Sequence, residues 1–307
     1  MLYSIREQTS RTILSRTSGF LLEAGFTHSL TPARNCTFGC SYCYVPTLRI
    51  QAGLKKEDWD HWGHHTTFKT NAALLLAREL RPQQTIYCSP LTDPYQPAEA
   101  GQQLMPGILQ AVAAAPPQAF VLQTRGPLIL RDLPLLAAIP RLRISFSITT
   151  DDDAVRRRFE PHCASVSKRL ETIRLLRAAG LRVHATLAPL LPCDPARLAA
   201  LALEATDQPL IADPLHVRAD KPHGATTRPP ALQLLTHYPN YDPTAALAII
   251  EAAATRAGRR FGIGPAAFGW LALASEYLEP TPPPCPPPTF DSAAALVIIG
   301  WRSEVSE

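Results

Sequence analysis

The strongest constraint in this chain is an alternation of two hydrophobic periods. Six short runs of β-type composition lie at residues 26–32, 85–89, 119–124, 143–149, 182–188 and 209–213. Between them, stretches at 68–80, 102–115, 131–138, 165–179 and 195–206 carry apolar residues at i, i+3 and i+4 spacing. Strand and helix in alternation imply a parallel sheet of βαβ units, because parallel neighbours need a crossover long enough to hold a helix. Six repeats are two short of a closed eightfold barrel. The expected fold is therefore α/β, a partial (β/α)6 TIM-type barrel with its chemistry at the C-terminal ends of the strands. Gly180, directly after the stretch 165–179, is where a left-handed helix cap is expected.

The pattern changes on both sides of this core. Residues 1–25 read as an N-terminal extension, 26–215 as the core, and 216–307 as a C-terminal extension. The extension begins with a mixed segment at 215–240, continues through a helical stretch at 243–257, and contains a Pro-rich segment at 281–290 suited to polyproline or loop. The formal net charge of +4 permits a nucleic-acid partner without requiring one. Arg156, Arg157 and Arg158 form the one dense basic run, which also reads as a solvated face. Seven unevenly spaced cysteines make no disulfide framework and fit a reducing compartment, so the expected location is the cytoplasm. Arg6, Arg11, Arg16 and Glu23 interrupt the first 26 residues where a signal peptide needs an apolar run. No window reaches about 18 apolar residues, so neither export nor a membrane span is expected.

Directly after the first expected strand stand Cys36, Cys40 and Cys43, in a C-x3-C-x2-C array. Gaps of four and three residues reach at most about 14 and 10 Å, so one folded loop brings all three sulfurs to a small centre, with Gly39 easing the turn. Thiolates select zinc, Cu(I) or iron–sulfur clusters. A closed cubane takes four cysteines, so three local ligands leave one position open, the mark of a reactive rather than a structural metal site. Ligand chemistry alone leaves three readings: a cluster, a Cys3His zinc site recruiting His28, His61, His64 or His65, and a group of small buried residues with no metal. The zinc reading makes the chain a non-catalytic binding module, and metal content distinguishes it.

C-x3-C-x2-C on the loop after the first strand of a partial β/α barrel resembles the signature of radical S-adenosylmethionine (SAM) enzymes. A narrower resemblance, to the spore photoproduct lyase-related family, rests on a series of ordered motifs. They are Tyr42-Cys43-Tyr44, the segment from Thr92 to Glu99 (TDPYQPAE), the segment Leu130 to Leu133 (LRDL), Phe159-Glu160-Pro161 with Arg169-Leu170, and Leu187 to Pro192 (LAPLLP). The match spans about residues 26–215. Against it the zinc reading recedes. The resemblance implies a [4Fe–4S] cluster on Cys36, Cys40 and Cys43, with SAM chelating the fourth iron. One-electron cleavage of SAM then yields a 5′-deoxyadenosyl radical that abstracts hydrogen from a substrate. In the lyase itself the substrate is a methylene-bridged thymine dimer in DNA. RNA, a peptide or a small metabolite is the alternative substrate class. The resemblance also implies a one-electron reductant such as a flavodoxin or ferredoxin.

Further site residues follow from the same resemblance. It places Ser147 near the SAM ribose, Arg169 near the carboxylate, Asp93 near the amine, and Tyr42 and Ala188 also at the cofactor. Strand alternation independently puts Ser145 and Ser147 on one face. Tyr44 is expected to pack over the cluster or relay a radical, and Cys88, on the second strand, to return hydrogen to the product. Each has a structural counterpart: a satisfied hydroxyl, a helix-surface charge, a turn aspartate, loop packing, a buried thiol. Lys69, Arg131 and Asp132 read as structural charges. Cys163, Cys193 and Cys285 show no partner in the sequence. The chain departs from the family pattern at Arg125, where Lys is commoner, and at Cys193, where Gly is usual.

Overall fold

The computed structural model describes residues 3–48, 61–217, 219 and 226–273. The chain opens with β1 (Ser4–Gln8), β2 (Leu14–Arg16), α1 (Phe20–Glu23), β3 (His28–Leu30) and β4 (Ala33–Arg34), then β5 (His65–Lys69) and α2 (Ala72–Glu79). Next come β6 (Thr85–Cys88), α3 (Glu99–Gln102), α4 (Leu104–Ala114), β7 (Ala119–Thr124), α5 (Leu133–Ala137) and β8 (Leu142–Ser147). The second half carries α6 (Asp153–Phe159), α7 (Val166–Ala178), β9 (Val183–Leu190), α8 (Pro195–Ala205) and β10 (Leu210–Pro214). It continues with α9 (Pro229–Leu235), α10 (Pro243–Arg256), β11 (Phe261–Ile263) and α11 (Gly264–Ala272).

All six expected strands form, as β3, β6, β7, β8, β9 and β10, and they lie side by side in sequence order. Each pairs in parallel with the next. A sheet wound in one direction with helices on one face curves toward a barrel. Here it stays open, with β2 and β11 at its two edges among the described residues. Those two three-residue strands come from the N- and C-terminal extensions, so the sheet runs past both ends of 26–215. Neither is long enough to show a period of two.

Register fixes which side chains share a face. Leu30, Cys88, Leu122, Ile144 and Val183 form one row across the sheet. That row belongs to the main core, packed with Leu76 of α2, Ile108 of α4, Ile173 of α7 and Leu198 of α8. Tyr87, Val121 and Ile211 point to the other face, where Ala267, Phe268 and Leu271 of α11 cover them. Arg143 Nη1 donates to Leu271 O (3.0 Å), fastening α11 there. Each large apolar side chain buried in this way contributes about 1.5–3 kcal/mol. α11 thus covers the concave face near the strand starts. Nearer the strand ends the same face carries polar residues in two neighbouring rows, Gln123 with Ser145 and Ser147 with Thr186.

Two helical stretches begin differently from expectation. Phe68 and Lys69 belong to β5, which pairs with β1 and β4, so the helix starts only at Ala72. Residues 127–132 form a 3-10 turn before α5. The mixed segment 215–240 contains α9. Gly180 has φ +80°, and Gly180 N–H donates to Arg177 O (2.9 Å) while Leu181 N–H donates to Leu176 O (3.2 Å). This is the paired Schellman closure expected of a glycine at that position. No helix among the described residues is long and apolar enough to cross a membrane. The Pro-rich segment 281–290 and Cys285 lie outside the described residues.

Candidate active site

The cysteine loop follows β3 and β4, at the C-terminal end of the sheet, and the segment 92–99 clasps it. Thr92 Oγ1 donates to Asn35 O (2.6 Å), and Gln96 Oε1 accepts from Thr37 N (2.8 Å) and Thr37 Oγ1 (3.1 Å). Gln96 Nε2 in turn donates to Thr92 Oγ1 (3.1 Å), and Ala98 N donates to Thr37 Oγ1 (3.3 Å). Within the loop, Gly39 N–H donates to Cys36 O (3.3 Å) and Cys43 N–H to Cys40 O (3.2 Å), two tight turns that return the chain between cysteines. Gly39 has φ +62° and backs onto Gly63, where a Cβ would lie 2.6 Å from Gly39 Cα. Only glycine allows that approach.

The donor set fits a metal centre bound through sulfur. Cys40 is buried, Cys36 and Cys43 are half-buried, and all three border an apolar cluster with Phe38, Phe159 and Leu191. Burial and then the neighbouring Cys40 push Cys43 up to about 12, and burial pushes Cys36 up as well. Such thiols deprotonate on gaining a cation. Among the described residues no three His, Cys, Asp or Glu side chains are closed onto one coordination point. Buried polar atoms without a hydrogen-bond partner include Asn35 Oδ1 and Ser41 Oγ on the loop, Ser89 Oγ just past β6 and Ser147 Oγ at the end of β8. Buried polar groups are normally paired, so unpaired ones at the ends of strands fit a further, polar ligand.

Beneath the loop lies a charged network that the sequence did not reveal. Glu160 is fully buried. Its carboxylate accepts from Arg125 Nη1 (2.6 Å), Thr149 Oγ1 (3.0 Å), Arg169 Nη2 and the Tyr42 hydroxyl. Against burial that would raise it, Arg169 and Arg125 hold this carboxyl at about 2. Arg125 also donates to Tyr42 Oη and lies 3.6 Å from Cys40 Sγ. The departure at Arg125 therefore puts a guanidinium in contact with the cysteine loop. Its place immediately after β7 was the available signal. Arg169, in contrast, is no helix-surface charge: it is 1% exposed and bound to Glu160 and Ala164 O (3.1 Å).

The other expected residues fall in different places. Asp93 accepts from Tyr95 N (2.9 Å), Thr124 Oγ1 (2.6 Å) and Arg125 N (2.9 Å), tying the loop after β6 to the end of β7. Burial raises its carboxyl. Ser147 and Ala188 lie on the concave face, and Ser145 is satisfied by Thr186 Oγ1 (2.6 Å). Tyr44 is partly exposed and donates to Pro90 O (2.7 Å). Cys88 packs its thiol in the helix-side core with Leu30 and Leu122, on the face opposite Ser147. Arg131 pairs with Asp132 (2.8 Å) and Glu99 (3.1 Å), as a structural charge should. Cys163, without a visible partner in the sequence, has one: its sulfur lies 3.9 Å from that of Cys40.

The sequence profile of the Radical SAM superfamily matches residues 30–196, more than half of the chain. The chain belongs to the radical SAM superfamily. The superfamily implies a [4Fe–4S] cluster and SAM, and the curved parallel sheet is its TIM-type fold left unclosed. Solved structures share this fold. A mutant of spore photoproduct lyase aligns with a TM-score of 0.58 at 15% identity, over 84% of this chain and 81% of that one. A second mutant, with bound AdoMet and dinucleoside spore photoproduct, aligns with a TM-score of 0.57 at 14% identity over the same shares. Among curated proteins, an uncharacterized protein of Mycobacterium tuberculosis (strain ATCC 25618 / H37Rv) is 35% identical over 175 residues, 54% of this radical SAM chain and 50% of the relative. An uncharacterized protein of Methanocaldococcus jannaschii is 24% identical over 157 residues, 51% of this chain and 58% of the relative. The alignments thus span about half the length of these curated relatives.

Proposed function

We propose that this radical SAM chain holds a [4Fe–4S] cluster on Cys36, Cys40 and Cys43 and binds SAM against it to abstract hydrogen from a substrate on the concave face. The observation that carries the reading is the placement of three thiols, on a clasped loop at the strand ends, among unpaired buried polar atoms. When bound, the cluster and SAM supply one-electron cleavage of the sulfonium and a carbon radical. The protein binds and orients. Ser147, with an unpaired buried hydroxyl, offers a hydrogen bond to the ribose. Asp93 keeps one carboxylate lone pair beyond its three bonds for the amine, and Ala188 adds concave-face contact area. Arg169 is the candidate for the carboxylate, and it also fixes Glu160, which fixes Arg125 and Tyr42 beside Cys40. Tyr44 packs at the rim of the loop. A flavodoxin- or ferredoxin-type protein supplies the electron.

For the substrate, similarity to spore photoproduct lyase favours a thymine lesion in DNA, with a lyase-type outcome. One observation favours the second reading, a substrate other than DNA: RNA, a peptide or a small metabolite. The basic run does not present three open guanidinium groups: Arg156 is buried, paired with Asp153 (3.2 Å) and donating to Cys163 O (2.9 Å), which leaves only Arg157 and Arg158 exposed. Electron paramagnetic resonance of reconstituted, dithionite-reduced protein tests the cofactor reading. A reduced [4Fe–4S] signal that shifts on adding SAM and disappears in Cys40→Ala is expected, and no signal from folded protein with verified iron and sulfide overturns it. SAM-dependent recovery of thymine from a lesion-bearing oligonucleotide then decides for the DNA substrate. Its failure, with SAM cleavage intact, decides for the other class.

A further inference from the structure

We propose that Cys40 and Cys163 form an oxidisable pair, a disulfide site that locks the cysteine loop when the loop holds no metal. The two sulfurs lie 3.9 Å apart, between residues separated by 123 positions in sequence. Both side chains are buried in the same apolar cluster, with Phe38 and Phe159. A disulfide needs about 2.05 Å between sulfurs, so the two must approach by about 2 Å.

The backbone on both sides is already held for it. Cys163 N–H donates to Glu160 O (3.1 Å), and Cys163 O accepts from Arg156 Nη1 (2.9 Å), itself paired with Asp153. On the other side, Ser41 N–H donates to Phe159 O (2.9 Å), binding the cysteine loop directly to the end of α6. The loop and the segment 159–163 are therefore docked on each other, and forming the bond orders no further chain. The oxidant is a peroxide. One thiol is oxidised by hydrogen peroxide to a sulfenic acid, releasing one water, and the second thiol condenses with it to form the S–S bond, releasing another. Two S–H bonds break, and two electrons and two protons pass to the peroxide. A dithiol reductant reverses the change by exchange.

The consequence rests on the reading of Cys40 as a cluster ligand, whereas the disulfide itself does not. With Cys40 tied to Cys163, the loop retains two thiols and cannot take up the cluster, and Cys40 is kept from irreversible oxidation until a reductant returns it.

The test uses the full chain in its cluster-free form. Protein stripped anaerobically with a chelator is treated with hydrogen peroxide, the remaining thiols are alkylated, and the digest is mapped by mass spectrometry without reduction. The expected result is a Cys40 peptide joined to a Cys163 peptide, lost in Cys163→Ser and Cys163→Ala, with Cys40 of those variants carried on to sulfinic acid. Circular dichroism confirms that each variant folds. Oxidised wild-type protein should fail to take up iron and sulfide until dithiothreitol is added, and both variants should take them up when never oxidised. Cys40 joined to Cys36 or Cys43, or Cys163 recovered alkylated, overturns the proposal. A Cys40–Cys163 bond with undiminished iron uptake keeps the disulfide and overturns Cys40 as a ligand instead.

Discussion

Replacing Glu160 by Gln tests whether the buried charges beneath the cysteine loop hold the site in shape. The side chain keeps its volume and loses its charge, leaving Arg169 (1% exposed) and Arg125 (14% exposed) without a counter-ion. Removing one partner of a buried ion pair costs about 3–5 kcal/mol. A second route agrees: a carboxyl held at about 2 when folded, against 4.5 when free, corresponds to about 3 kcal/mol. At about 2 cal/mol/K of unfolding entropy per residue, the melting temperature falls by about 5–8 °C for a chain of this size. Urea unfolding of cluster-free protein at pH 7 should show a lower midpoint at an unchanged slope. The sign with pH is fixed. Because the folded value lies below the unfolded one, the wild-type advantage is complete above about 4.5 and is lost as pH falls toward 2, so the two proteins converge there. A loss under about 1 kcal/mol, the range of an exposed ion pair, or a gap that persists to pH 2, would refute the reasoning.

Three further outcomes follow from the same structure. Ser147→Ala removes a buried hydroxyl that has no partner, so stability should hold or rise by about 1 kcal/mol while SAM binding to the reconstituted protein weakens; calorimetry reads both, and lost stability with unchanged SAM affinity counts against the site. Gly126→Ala places a Cβ 2.4 Å from Tyr95 O, beside the Asp93 bonds, and should cost about 1–3 kcal/mol in urea unfolding; an unchanged midpoint would show that the loop yields freely. His184 is buried, and burial lowers it to about 4 against 6.5 when unfolded, so stability is complete above about 6.5 and declines by about 3 kcal/mol as pH falls to 4. His184→Asn should flatten that interval of the pH profile, and an unaltered slope would place the titration elsewhere.

The cysteine sequence and the alternation of periods are local properties, and they determined what local properties can. Strands β3, β6, β7, β8, β9 and β10, the helices between them, the positive φ of Gly39 and the cap at Gly180 all follow from spacing, side-chain period and the missing Cβ of glycine. Three thiols within eight residues place their own loop after β3, whatever the rest of the chain does. Strand parity likewise puts Cys88 opposite Tyr87, but which of the two meets the helices is undecided until neighbouring strands pair. Only the tertiary structure decided that, placing Cys88 on the helix side. It also decided that Arg169 faces Glu160 rather than solvent, that Arg125 reaches Cys40, and that Cys163 finds a sulfur 123 residues away. Coulomb energy and burial depend on distances set by the whole packed sheet, and no period or spacing in the sequence encodes them. The three-residue strands β2 and β11, and α11 on the concave face, share that cause: each is stabilised by what it packs against rather than by its own sequence.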